Sequence, residues 1–171
     1  MPFYTRRTVL RQLSAFAALL PFAARAGAPE EPSFSSLHKT KEEWRALLEP
    51  ARYAILFEEG TERPHSSPLD REKRDGLYLC AACFLPLFSS QTKYDSGTGW
   101  PSFFEALPGR LGTKTDFKLI YPRTEYHCVR CGGHQGHVFN DGPPPTGKRY
   151  CNNGLALIFA PEGEALPELR S

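Results

Sequence analysis

Four of the five cysteines fall into two Cys-x-x-Cys pairs, Cys80-Ala81-Ala82-Cys83 and Cys128-Val129-Arg130-Cys131. In this spacing a tight turn aims two thiolates at one point, and two such turns complete a tetrahedral shell. Zinc imposes no geometry of its own and four sulfurs leave no position open for water. The chemistry expected of Cys80, Cys83, Cys128 and Cys131 is therefore a closed, structural Zn2+ site. The stretch between Cys83 and Cys128 is much longer than in compact zinc ribbons. Two disulfides, a redox-active pair and four unrelated buried thiols stay open as alternatives.

Cys151 is left over, in Arg149-Tyr150-Cys151-Asn152-Asn153. If this run is a strand, Arg149, Cys151 and Asn153 share a face, so a cation and an amide flank the thiol. A neighbouring guanidinium favours thiolate; a pKa lowered from about 8.5 to about 6.5 raises the thiolate share at pH 7 from about 3 % to about 75 %. The bland alternative is a lone buried thiol. Upstream, His134-Gln135-Gly136-His137 sets two imidazoles around a glycine. They could donate protons to a substrate oxygen, ligate the metal, or simply pack. Trp100 ends the Gly-containing loop Asp95-Ser96-Gly97-Thr98-Gly99 and is either a pocket wall or core, and Asp141-Gly142-Pro143-Pro144-Pro145-Thr146-Gly147 is a stiff loop leading into the Cys151 run.

Such side chains need a scaffold. Thr40 with Glu43 gives a capping box, after which Trp44, Leu47 and Leu48 are expected on one helical face. A second short helix is expected from Pro50, turning Tyr53, Leu56 and Phe57 inward and stopping at Gly60. From Gly76 onward the pattern becomes short β-compatible runs between turn residues. Phe117, Leu119 and Tyr121 alternate as in a strand, and Leu155 to Phe159 reads as a continuous buried strand.

With 171 residues, one core is the default, and 40 % apolar residues argue against disorder of the whole chain. The 14 Gly and 16 Pro argue against a helical bundle and for a mainly β, loop-rich domain. The formal net charge is +2, but Arg6, Arg7, Arg11 and Arg25 lie in an acid-free start, so the remainder is slightly negative and no nucleic-acid partner is expected. Residues 1–26 read as an export signal of the twin-arginine type, with Arg6-Arg7, an apolar run from Leu13 to Ala24 and the small-residue sequence Ala24-Arg25-Ala26. The expected location is the periplasm, without stable membrane insertion of the mature form. A linker is expected at 27–38, and the tail after Pro161 reads as peripheral.

Six segments, in order over about residues 40 to 160, resemble the methionine-R-sulfoxide reductases, the type B peptide methionine sulfoxide reductase family. They are Thr61 to Pro64, Gly76 to Cys83, Lys93 to Phe103, Cys128 to Cys131, His134 to Phe139, and Asp141 through Cys151. The resemblance implies a catalytic domain at 39–161 with a C-terminal tail at 162–171. Its fold is two antiparallel sheets, short N-terminal helices and a four-cysteine zinc site remote from the chemistry. It makes Cys151 the nucleophile that reduces methionine-R-sulfoxide in proteins and becomes a sulfenic acid. It gives His134, His137 and Asn153 to the sulfoxide oxygen or water, Trp100 to the substrate methyl, and Phe139 and Arg149 to the substrate side, with Glu125 and Asp141 in support. Thr98 stands where many relatives carry a resolving cysteine, so an external thioredoxin-like thiol is the expected reductant of a monomeric enzyme. His65, Asn152 and Gly154 also depart from the common pattern. A non-catalytic zinc-stabilised binding module and a cysteine redox sensor are the competing readings.

Overall fold

In the computed structural model, which describes residues 35–171, Thr40 caps the first helix as its spacing from Glu43 predicts. The Thr40 hydroxyl accepts the Glu43 N–H at 3.2 Å, and the Glu43 carboxylate accepts the Thr40 N–H at 2.7 Å. Helix α1 (Lys41–Leu47) buries Trp44, and Leu48 is buried just beyond it. Leu47 is 49 % exposed instead of sharing that face, because the helix ends there and Leu48 is already extended. Helix α2 (Pro50–Glu58) starts on Pro50, buries Tyr53, Ile55 and Leu56, and stacks the half-buried Phe57 on Trp44 at 4.9 Å. It stops one residue early, at Glu59 in a left-handed conformation. The expected export signal and most of the expected linker lie outside the described residues. Leu37 already donates to the Arg130 carbonyl at 2.6 Å, so ordered contacts begin before residue 39.

Two antiparallel sheets follow. The smaller contains β1 (Gly76–Cys80), β2 (Pro86–Ser89) and β9 (Leu157–Pro161) in the order β2-β1-β9. The larger contains β3 (Lys93–Tyr94), β4 (Ser102–Phe103), β5 (Leu111–Asp116), β6 (Arg123–Cys128), β7 (His134–Phe139) and β8 (Arg149–Asn152), in the order β3-β4-β8-β7-β6-β5. The two-sheet, mainly β architecture expected from the sequence is therefore present.

Phe117 to Tyr121 is not a strand. β5 ends at Asp116, and the following residues bend over the surface with Phe117 and Ile120 76 % and 106 % exposed. Alternation alone misread this segment because no neighbouring strand pairs with it. The run Leu155 to Phe159 becomes strand only from Leu157, since Gly154–Ala156 forms a single 3-10 turn. The tail is not wholly peripheral: Arg170 donates its N–H to the Cys83 carbonyl at 3.2 Å and sets its guanidinium 4.7 Å from the Phe84 ring. Among the described residues no helix is long and apolar enough to cross a membrane.

Strand alternation divides the large sheet into two faces. Inward, Phe103, Tyr126 and Tyr150 meet Tyr78 and Phe88 of the small sheet, with Phe88 stacked on Phe103 at 4.2 Å and Tyr126 edge-on to Tyr150 at 5.3 Å. Outward, strand register aligns Lys114, Glu125, His137, Cys151, Ser102 and Tyr94 in one row across six strands. Gly136 belongs to the inward row between Tyr126 and Asn152, and its missing side chain lets the Tyr126 hydroxyl reach across to Asn152 Oδ1 at 2.7 Å. A Cβ at Gly136 would lie 2.0 Å from the Cys151 carbonyl oxygen. Gly136→Ala is therefore expected to force β7 from β8 and to destabilise the fold by about 3 kcal/mol or more, read from the denaturant midpoint. An unchanged midpoint would show that the two strands can part freely.

Candidate active site

On the outward face lies a cleft of about 190 Å3 whose walls include Thr98, Trp100, Arg123, His137, Phe139, Arg149, Cys151 and Asn153. Cys151 and His137 are direct cross-strand partners on β8 and β7. The loop before β4 brings Trp100 to the cleft wall, and its indole N–H donates to the Glu62 carbonyl at 3.2 Å. Thr98 lines the cleft together with Cys151, so the position that could have held a resolving cysteine does share the site with the thiol. His65 packs beneath the same loop, its N–H donating to the Gly99 carbonyl at 2.6 Å.

His137 is tied to a carboxylate that sequence reasoning missed. Its Nε2 is 2.7 Å from Asp116 Oδ2, which also accepts from Arg123 at 2.6 Å. The Lys118 N–H, His137 and Arg123 together hold the Asp116 carboxyl well below its ordinary range, against the opposing effect of burial. Asp116 and Arg123 are paired residues at the loop end of the β5-β6 hairpin, flanking its connection, so only the strand register reveals their meeting.

His134 reaches the same face by a different route from the glycine turn suggested by its motif. In a regular strand, residues three apart project oppositely. Here His127 pairs with His134 instead of Gln135, making Gln135 the extra residue of a β-bulge. The bulge brings the His134 ring to 5.5 Å from that of His137, edge to face. His134 is fully buried behind His137, not on the cleft wall, with Nδ1 3.2 Å from Glu125 Oε1. Burial outweighs that carboxylate and pushes His134 below its ordinary pKa, so the ring is neutral at neutral pH.

Asn153 lines the cleft while its amide is largely committed. Its Oδ1 accepts the Glu62 N–H at 3.1 Å, and its Nδ2 donates to the Gln135 carbonyl at 3.1 Å. Asn152 turns its side chain inward to Tyr126 while also lining the cleft. Gly154 is required by space, since a Cβ there would lie 2.0 Å from Ser67 Oγ. Arg149 grips Asp141 through two bonds of 2.9 and 2.7 Å and lies 4.4 Å from the Phe139 ring.

The surroundings of Cys151 act on its thiol in both directions. Burial raises Cys151 above the ordinary cysteine value; Arg149 and Thr98 pull it down, and Asp141 opposes them. Desolvation wins because the guanidinium already answers to a carboxylate.

The other four cysteines do meet. Cys80, Cys83, Cys128 and Cys131 are buried, none is in a disulfide, and their sulfurs all lie within 4.8 Å of one another. The Cys80–Cys131 and Cys83–Cys128 sulfur pairs are 3.6 Å apart, close to the roughly 3.8 Å edge of a tetrahedron with 2.3 Å zinc–sulfur bonds. Both turns repeat one construction. The Phe84 N–H returns to the Cys80 carbonyl at 2.8 Å and the Gly132 N–H to the Cys128 carbonyl at 2.9 Å, with Phe84 and Gly132 both in the left-handed region. The cluster can thus hold a metal ion, which would tie the end of β1 to that of β6.

Comparison with known proteins agrees with this geometry. The SelR domain family matches residues 48–161. A peptide methionine sulfoxide reductase MsrB of Agrobacterium fabrum is 52 % identical over 126 residues, covering 73 % of this chain and 93 % of that protein. Its counterpart in Thiobacillus denitrificans is 53 % identical over 125 residues, 72 % and 95 % of the two chains. That of Methanosarcina barkeri is 50 % identical over 130 residues, 75 % and 92 %. The fold and the matched span define a SelR-domain protein. More narrowly, the chain belongs to the methionine-R-sulfoxide reductase family, MsrB.

Two outcomes follow from the site. Cys83→Ser is expected to lose the bound metal and lower Tm by about 10 °C or more, read by elemental analysis and thermal melting. For Asp116 the folded pKa lies below the unfolded one, so its stabilisation is whole above about pH 4 and is lost as pH falls through the lower, folded value. Asp116→Asn should therefore be less stable than the parent by a constant margin down to about pH 4, with the margin shrinking below it in urea titrations. A margin that grows in acid would reverse the assignment.

Proposed function

We propose that the protein reduces methionine-R-sulfoxide residues in oxidised proteins, with Cys151 as nucleophile and His137 as the proton carrier. The observation that carries this reading is the pairing of Cys151 with His137 across adjacent strands, in a cleft with an indole at its rim. Sulfur must be attacked while its oxygen gains a proton, since oxide is a poor leaving group. Cys151 enters as the thiol that its burial favours. As its sulfur bonds to the sulfoxide sulfur, His137 takes the thiol proton and passes it to the sulfoxide oxygen, and that hydroxyl then moves to the Cys151 sulfur as the sulfur–sulfur bond breaks and the thioether is released.

The balance is complete: thiol plus sulfoxide gives sulfenic acid plus thioether, with Cys151 oxidised by two electrons and methionine restored. Asp116 stabilises the imidazolium formed in passing. Trp100 holds the methyl group and the Asn153 amide meets the oxygen, an arrangement the S epimer cannot satisfy. Phe139 and Arg149 close the wall behind the thiol, while Glu125 and His134 back His137 from the core.

A first external thiol then condenses with the sulfenic acid, releasing water, and a second frees Cys151 as the disulfide of the reductant departs. A thioredoxin-like protein fits this role because Thr98 sits beside Cys151 and the other four cysteines are buried in the cluster. We take the ion held by those four to be zinc; a closed sulfur shell supplies cross-linking between the sheets. The cleft is complete within one chain, in keeping with a monomer. The exposed Phe117 to Tyr121 bend runs between Asp116 and Arg123, beside the cleft, and suits a peptide continuing past the sulfoxide better than a free amino acid. Export by the twin-arginine route remains part of the proposal, resting on residues 1–26.

Separated R and S epimers of a sulfoxide-containing peptide, with dithiothreitol as reductant, test the reading. Only the R epimer should be consumed, and Cys151→Ser should lower turnover at least about 1,000-fold while leaving metal content and Tm unchanged. Turnover of the S epimer, or retained activity in Cys151→Ser, would refute it. So would sulfenic acid formed with peroxide but no sulfoxide reduction, the behaviour of a redox sensor.

A further inference from the structure

Thr61-Glu62-Arg63-Pro64 stands apart from every strand and helix of the fold, yet Glu62 is buried at 8 % exposure. All of its polar atoms are engaged, and each engages the site. Its N–H donates to Asn153 Oδ1 at 3.1 Å, and its carbonyl accepts the Trp100 indole at 3.2 Å. Its carboxylate accepts the Gly154 N–H at 2.6 Å and the Leu155 N–H at 3.0 Å. Those two amides open the 3-10 turn that follows Asn153, a turn with no side-chain cap of its own. Arg52 grips the opposite polarity of the same segment, donating to the Leu155 and Leu157 carbonyls at 2.7 and 3.0 Å.

We propose that Glu62 is the positioning residue for the substrate wall: its carboxylate anchors the turn after Asn153, and so anchored, its peptide group fixes the Trp100 indole and the Asn153 amide. The inference rests on the reading of this cleft as a sulfoxide site, and it adds a division of labour. Cys151 and His137 are set by the β7-β8 register, which Glu62 does not touch. Trp100 and Asn153 come from loops, and a charge-assisted bond pair is what loop groups need to hold one geometry. An amide in place of the carboxylate keeps the shape but turns an NH2 donor toward one of the two backbone N–H groups, leaving that group unpaired.

The experiment pairs kinetics with fluorescence in Glu62→Gln. For the R-sulfoxide peptide, KM is expected to rise about tenfold with kcat within about threefold of the parent, because binding and not proton transfer is disturbed. The protein has two tryptophans, and Trp44 is buried in the helical layer at 2 % exposure, so acrylamide quenching reads Trp100 against an internal reference. Quenching of Trp100 should increase while that of Trp44 stays low. Unchanged quenching with unchanged KM overturns the proposal, as does a fall in kcat at constant KM. Should Glu62→Gln fail to fold, Glu62→Asp, which keeps the charge but shortens the reach, gives the same reading. If the parent reduces no sulfoxide the functional reading fails, and the quenching still decides whether Glu62 holds the indole.

Discussion

The pairing of Gly136 with Asn152 is the constraint on which the outward face depends. With those two residues opposite, His137 must face Cys151, Phe139 must face Arg149, and Tyr126 can reach Asn152 across the glycine. A slip of one residue would send Cys151 into the aromatic core and Tyr150 into the cleft. The register is held from both faces at once. Inside, Tyr126 and Tyr150 pack edge-on and the Tyr126 hydroxyl satisfies a buried amide. Outside, Asp116 and Glu125 tether the two imidazoles from β5 and β6. The position of Cys151 follows from packing several strands away, not from contacts of its own.

The four-cysteine cluster, holding an ion, would join the turn after β1 to the turn after β6. Leu56 of α2 packs against it, since a Cβ on Gly133 would lie 3.0 Å from the Leu56 methyl and 3.3 Å from Cys131 Sγ. Gln135 connects this end to the cleft. Its side-chain amide donates to Cys80 Sγ at 3.5 Å, and its backbone carbonyl accepts both the Asn153 N–H at 2.8 Å and the Asn153 side chain at 3.1 Å. A bulge residue is free to do both because its peptide has left the regular ladder. The same departure that re-aims His134 therefore places a link between the sulfur cluster and the substrate wall.

Much of this was legible in the chain, for identifiable reasons. Capping boxes, Cys-x-x-Cys turns and a Pro-led helix are local devices; Thr40 and Pro50 do what their spacing says, and the four cysteines gather as theirs says. The gathering of Cys151, His137, Trp100, Phe139 and Arg149 was legible only through resemblance, because their union depends on strand order. Asp116 and Arg123 carried no motif-level signal, being single charged residues whose meeting is set by register, and Glu62 lay within a resembling segment that said nothing of its partners. Phe117 to Tyr121 failed in the opposite way. Its alternation was real, but a strand is made by its neighbour, and among the described residues none pairs with it. Gln135 and His134 show the limit of period-two reasoning: a bulge changes which face a residue sees and leaves no trace in spacing.

The resting state of Cys151 links these parts into one chemical argument. A thiolate held permanently in a half-open cleft would be exposed to any passing oxidant, and the first oxidation step consumes the nucleophile. Burial counters this by favouring the neutral thiol, while Asp141 tempers the one guanidinium that would favour the anion. Sulfoxide reduction tolerates that restraint because its balance needs the thiol proton: the hydrogen leaving sulfur is the one that must arrive on oxygen. His137 stands across the strand from the thiol, with a carboxylate behind it to steady the transient cation. On the proposed reading, formation of the reactive anion is joined to a bound sulfoxide that receives its proton through His137, and reactivity becomes a property of the complex with substrate rather than of the free protein.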